Sequence, residues 1–134
     1  MIDEEINIFN ILRDSIKMFY PKCEVSSNFY TTQPTTFPAV SIIELENIPV
    51  QEQYDSGDEE KFATVTYQVD AYSNLTASAK NQVKHLLNIA SSEMYALNGD
   101  RTAYTITNMA DGTITRATVR YVLQVDNKSN LYRR

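Results

Sequence analysis

Cysteine occurs once in this chain, as Cys23, histidine once, as His85, and tryptophan not at all. A single cysteine excludes an internal disulfide framework and a multi-cysteine zinc site, and suits a reducing compartment. The three glycines, Gly57, Gly99 and Gly112, lie far apart, so no glycine-rich loop can cradle a phosphate. No apolar run approaches the ~20 residues that a membrane-crossing helix needs. Asp3, Glu4 and Glu5 stand where a secretory signal would carry positive charge. Neither secretion nor a membrane partner is expected. Basic residues are outnumbered, 12 Lys and Arg against 17 Asp and Glu, for a formal net charge of -5. That balance argues against specific nucleic-acid binding, which draws on clustered cations to neutralise phosphates.

What is present is ordinary globular composition, 43% hydrophobic and 22% charged, enough for a core without staples. At 134 residues the chain is expected to form a single domain over 1–134. Ile6, Phe9, Leu12, Ile16 and Phe19 recur at three- and four-residue steps and predict an amphipathic helix from Asp3 to Phe19, ended by Tyr20-Pro21. A short strand is possible over Glu24–Tyr30. Ala39 to Leu45 reads as a strand by its β-branched content. Residues 47–61, with Pro49, Gly57 and five acids, read as a mobile acidic loop.

From Phe62 to Tyr72, Ala63, Val65, Tyr67, Val69 and Ala71 alternate with Thr64, Thr66, Gln68 and Asp70, a strand with one buried and one polar face. Asn74 or Thr76 could cap the helix that follows, from Ala77 to Leu97. Its stripe is Ala79, Val83, Leu86, Leu87, Ala90, Met94 and Leu97, and Asn98-Gly99 stops it. Strands near Thr102–Met109 and Ile114–Val125 are joined through Asp111-Gly112, a hairpin signal. Residues 126–134 form a polar, basic tail. The expected fold class is α+β: a mainly antiparallel sheet of four to five strands with two amphipathic helices packed on one face. The polar face could stay wet or meet a neighbour.

Residues that could carry chemistry are few. His85 lies beside the helical stripe without a specific partner, and Cys23 beside Lys22 has no base that the spacing supplies. Asp55-Ser56-Gly57-Asp58 puts glycine too early for a calcium-binding loop. No catalytic, metal or cofactor-binding residue is therefore assigned, and no enzymatic activity is expected. The compositional excess is nine tyrosines, whose large rings and polar tips suit subunit contacts. Tyr67 and Tyr121 are expected in the core. The interface candidates are Tyr54, Asp55, Asp58, Glu59 and Glu60 in the acidic loop, Tyr72 at a strand end, and Lys128, Tyr132, Arg133 and Arg134 in the tail.

Three stretches together carry a resemblance. They are the N-terminal helix leading to Phe37-Pro38-Ala39-Val40-Ser41-Ile42, the strand Tyr67-Gln68-Val69-Asp70-Ala71-Tyr72-Ser73-Asn74 entering a long helix, and the hairpin strand from Asn108-Met109 to Val125 before Asp126-Asn127. In layout the chain resembles the tail terminator, or tail completion, proteins of long-tailed bacteriophages and prophages, and the minor tail proteins related to them. The resemblance implies a structural protein of virion assembly and head–tail joining. Its subunits would form a ring, a hexamer in this family, that caps the tail tube. The implied partners are further copies of itself, the tail tube protein and the head connector protein. The implied places are the host bacterial cytoplasm during assembly and then the tail or neck of the virion. The alternatives are another neck or tail protein, such as a head–tail connector or tube subunit, and a small ligand-binding or enzymatic domain.

Overall fold

A computed structural model describes residues 3–28, 34, 36–49, 62–108 and 113–126. The elements run α1 (Glu5–Phe19), β1 (Glu24–Ser26), β2 (Ala39–Pro49), β3 (Phe62–Ser73), α2 (Ala79–Ala96), β4 (Asp100–Asn108) and β5 (Thr115–Asp126). The five strands form one sheet in the order β1-β2-β3-β5-β4, with β1 parallel to β2 and every other pair antiparallel. Both helices contribute to one apolar core on one face of the sheet, so the fold is α+β.

The helices differ in how plainly their sequences announce the buried side. All seven residues of the expected α2 stripe are buried, and the Gly99 N–H donates to Met94 O at 2.8 Å across the end of the helix. Asn98 adopts the left-handed conformation there, φ 65°, which asparagine tolerates through local side-chain hydrogen bonding. Neither Asn74 nor Thr76 is the N-cap: the helix begins after Ser78, which makes no side-chain cap bond.

In α1 the buried residues are Ile8, Leu12 and Ile16. Ile6 is 74% and Phe19 60% exposed, so the expected stripe holds at Leu12 and Ile16 but is rotated at its ends. Apolar residues occupy so much of this helix that three- and four-residue steps can be traced along more than one line. Packing into the shared core, chiefly against α2, selects the line of strict four-residue steps.

β3 is the central strand. It pairs with β2 from Ala63↔Pro49 to Tyr72↔Ala39 and with β5 from Phe62↔Asp126 to Ser73↔Thr115. Its odd-numbered apolar residues and the β5 set Ala117, Val119, Tyr121, Leu123 and Val125 all enter the core. Tyr67 and Tyr121 are buried, and each hydroxyl has a partner: Tyr67 donates to Glu44 Oε1 at 3.0 Å, and Tyr121 shares a hydrogen bond with Ser91.

Two expected boundaries move. β1 ends at Ser26, short of Tyr30, and β2 continues to Pro49 past a bulge between Glu44 and Glu46. Asn47 to Pro49, expected to open the acidic loop, are thus strand. Asp126, expected to begin the tail, closes β5. The rest of both segments lies outside the described residues.

Leu86→Ala should lower the unfolding free energy by about 2–5 kcal/mol, because it empties a fully packed site under the sheet. Ile6→Ala, at an exposed α1 position, should change it by less than about 0.5 kcal/mol. Urea unfolding of both variants checks the assignment, and equal losses would mean α1 is seated differently.

Candidate interaction surface

The face of the sheet that the helices leave bare is polar, yet at its centre it is not solvated. Asp70, expected on a polar strand face, is fully buried. Thr118 donates its hydroxyl to Asp70 Oδ1, Gln68 Nε2 donates to Oδ2 at 3.1 Å, and Arg116 Nη2 lies 3.3 Å from Oδ2. Arg120 Nε in turn donates to Gln68 Oε1 at 3.1 Å. Antiparallel pairing builds this cluster, since Gln68↔Arg120 and Asp70↔Thr118 are direct cross-strand pairs. The geometry matches a carboxylate held by three donors, which is how a buried charge is tolerated. An acid in the middle of an otherwise well-patterned strand was the sequence signal for it.

Beside this network, Tyr72 packs with Ala39, Ile114 and Phe37 in a second small apolar cluster and is 5% exposed. As an interface candidate it is displaced: it sits inside strand β3, opposite Ala39 and Arg116, and not at an exposed strand end. Tyr54, Asp55, Asp58, Glu59, Glu60, Lys128, Tyr132, Arg133 and Arg134 all lie outside the described residues.

His85 is exposed, with Nδ1 2.6 Å from the Tyr20 hydroxyl and its ring edge-on to Phe19 and Tyr20. Cys23 is buried, and burial, with a smaller contribution from Glu24, pushes its thiol up to about 11 against the opposing pull of Lys17. A thiol so placed is almost wholly protonated at neutral pH and is a poor nucleophile. The two residues' hydrogen-bond partners differ, Tyr20 for His85 and the Glu24 carbonyl for Cys23. Among the described residues no three His, Cys, Asp or Glu side chains come together as a metal site, and no helix is long and apolar enough to cross a membrane.

Among the described strands β4 is the most exposed. Eight of its nine residues are exposed, Ile106 alone being half-buried. It closes one side of the sheet: β5 occupies its inner edge, and among the described residues nothing pairs with its outer edge. Its run Thr102-Ala103-Tyr104-Thr105-Ile106-Thr107 contains no charge, proline or glycine. Among the described residues this run lacks the charges and prolines that usually blunt a sheet edge, although Asp100 and Arg101 precede it and a bulge lies between Arg101 and Ala103.

Between α2 and strands β4 and β5 there is a groove of about 220 Å³, lined by Lys84, Leu87, Arg101, Tyr104 and Val119 among others. A second depression, about 390 Å³, lies between the helices and is lined by Met18, Phe19, His85 and Ile89. Alternating sequence patterns had shown β4 to be a strand. They carry no sign of whether a strand is central or marginal, so its exposure was not legible. No protein-family model matches this chain, and no curated protein sequence matches it.

Two outcomes follow from this chemistry. Asp70→Ala should cost on the order of 3 kcal/mol, because Arg116, Thr118 and Gln68 lose their shared acceptor in a buried place; a loss under about 1 kcal/mol in urea unfolding would show the cluster to be water-bridged. Cys23 should resist a thiol-reactive dye in the native protein at pH 8 and react at once when the chain is unfolded, with rapid native labelling as the contrary result.

Proposed function

We propose that this chain is a structural assembly subunit, a bacteriophage tail terminator type that forms a ring on the tail tube and presents a surface to the head connector. The observation that carries the reading is β4, nine residues long, exposed and without a partner on its outer edge among the described residues. An uncovered β-edge of this length is a template for another strand. A protein that must stay monomeric seldom keeps an edge run such as Thr102–Thr107 free of charge. Rings arise when one surface of a subunit binds a different surface of the next and the rotation closes. The layout that resembles tail terminators supplies the kind of ring, and with it the tail tube and head connector as partners.

The reading is tested on the full chain by sedimentation velocity and native mass spectrometry. Closed oligomers should form at micromolar concentrations, and electron microscopy should find them capping tubes when a tail tube subunit is added. Thr105→Lys, which places a charge on the open edge, should shift the population to monomer with unchanged circular dichroism. A wild-type chain that stays monomeric at every concentration, with or without tube subunit, would remove the assembly reading.

A further inference from the structure

We propose that β4 and the groove beside it receive an extended acidic segment of a partner protein, its main chain paired to the outer edge of β4 and one of its carboxylate side chains seated between Lys84 and Arg101. The inference rests on the reading of β4 as the assembly strand and names the chemistry of what docks there.

Register puts edge and groove side by side. Arg101 pairs with Tyr121, Tyr104 with Val119 and Ile106 with Ala117, and those three β5 residues enter the core under the helices. Arg101, Tyr104 and Ile106 therefore stand on the helix side of the sheet, and the first two line the groove. A strand added to β4 would send alternate side chains to that same side. Side chains on one face of neighbouring strands lie about 5 Å apart, so one of them would meet Arg101 and Tyr104 at the groove.

Charge selects the side chain. Lys84 and Arg101 line the groove and are exposed. Among the described residues neither makes an ion pair; the cations that do are Arg13 and Arg116. Glu93, the one acid of α2, is engaged elsewhere, accepting from the Ser15 hydroxyl at 2.8 Å on the side of α1. The charge of Arg101 also reaches inward: burial raises the pKa of the Tyr121 hydroxyl, while its bond to Ser91 and the field of Arg101 pull the other way. On a chain of net charge -5 this is a local reversal of sign, and it favours an acid over a base or an uncharged group.

Size separates a docked side chain from a free ligand. At about 220 Å³ the groove falls below the ~300–1,000 Å³ of sites that enclose a small molecule. A lone carboxylate between two exposed cations gains little in water. A strand paired along β4 adds main-chain hydrogen bonds and holds the acid in place, with affinity from the edge and specificity from the groove. Residues 102–107 of β4 carry no charge of their own, so Lys84 and Arg101 set the sign of what docks.

Hydrogen exchange on the full chain, read by mass spectrometry at a concentration where it is monomeric, tests this with two short synthetic peptides. In one, glutamate alternates with valine; in the other, glutamine replaces glutamate. The glutamate peptide should slow exchange over residues 102–108 saturably, with a midpoint about tenfold below that of the glutamine peptide. Lys84→Gln with Arg101→Gln, at two exposed positions, should leave circular dichroism unchanged and bring the two midpoints together. Equal midpoints on the wild type, protection of β4 by neither peptide, or a preference that survives the double substitution would overturn the proposal.

Sedimentation velocity judges the assembly reading separately. Closed oligomers together with equal midpoints leave assembly standing and remove the acidic occupant. A chain that takes the glutamate peptide on β4 but never assembles, with or without tube subunit, keeps the acidic docking site and loses the assembly reading.

Discussion

Between Gln68 and Tyr72, strand β3 is buried on both faces at once, although helices cover only one of them. Under α2 the burial is apolar, through Val69 and Ala71. On the other face it is made by polar side chains that cover and satisfy one another, Gln68, Asp70, Thr118 and Arg120 among them. Such a strand tolerates one register only. A slip by one residue would turn Asp70 into the apolar core and Val69 onto the polar cluster, losing transfer energy on both faces. β2 and β5 are held by the same requirement, since their side chains complete both faces through direct cross-strand pairs. The helices then have one place to go, over Val65, Tyr67 and Val69, where Tyr67 and Tyr121 extend their rings and keep their hydroxyls bonded to Glu44 and Ser91.

This arrangement accounts for what could and could not be read in the residues. α2 was legible because its stripe is narrow and its flanks are polar, leaving a single way to face the sheet. α1 was legible as a helix but not in its rotation, because apolar residues such as Ile6, Met18 and Phe19 stay exposed and leave the periodicity degenerate. The reach of β2 was underestimated because Glu44 and Glu46 flank a bulge, which breaks the two-residue alternation on which a strand is recognised. Asp70 was placed on the right face and given the wrong environment. Pattern tells which way a side chain points. It says nothing of the partners that converge on it from strands 48 residues away, as Thr118 does.

The interaction surface was less legible still, for a related reason. Tyr72 stood at the end of an alternating run, where the sequence offers no sign that Ala39, Ile114 and Phe37 will close over it. The features that mark β4 as a margin are relational: its neighbour on one side is β5, and no described residue is its neighbour on the other. Threonine-rich alternation looks the same in a central strand and at an edge, because Thr is compatible with either.

The margin of the sheet is held less tightly than its middle. β1, three residues long, pairs with the first part of β2 and stops at Ser26; very short edge strands are a usual means of discouraging further pairing. On the other side β4 carries Asp100 and Arg101 at its start and no charge from Thr102 to Thr107, and among the described residues nothing pairs with its outer edge. A slip of β4 would strand few side chains, since eight of its nine residues are exposed, whereas a slip of β3 would strip both of its faces of their partners. The folding specificity of this chain thus resides in the over-determined middle of its sheet, and the strand open to further pairing is the one that folding constrains least.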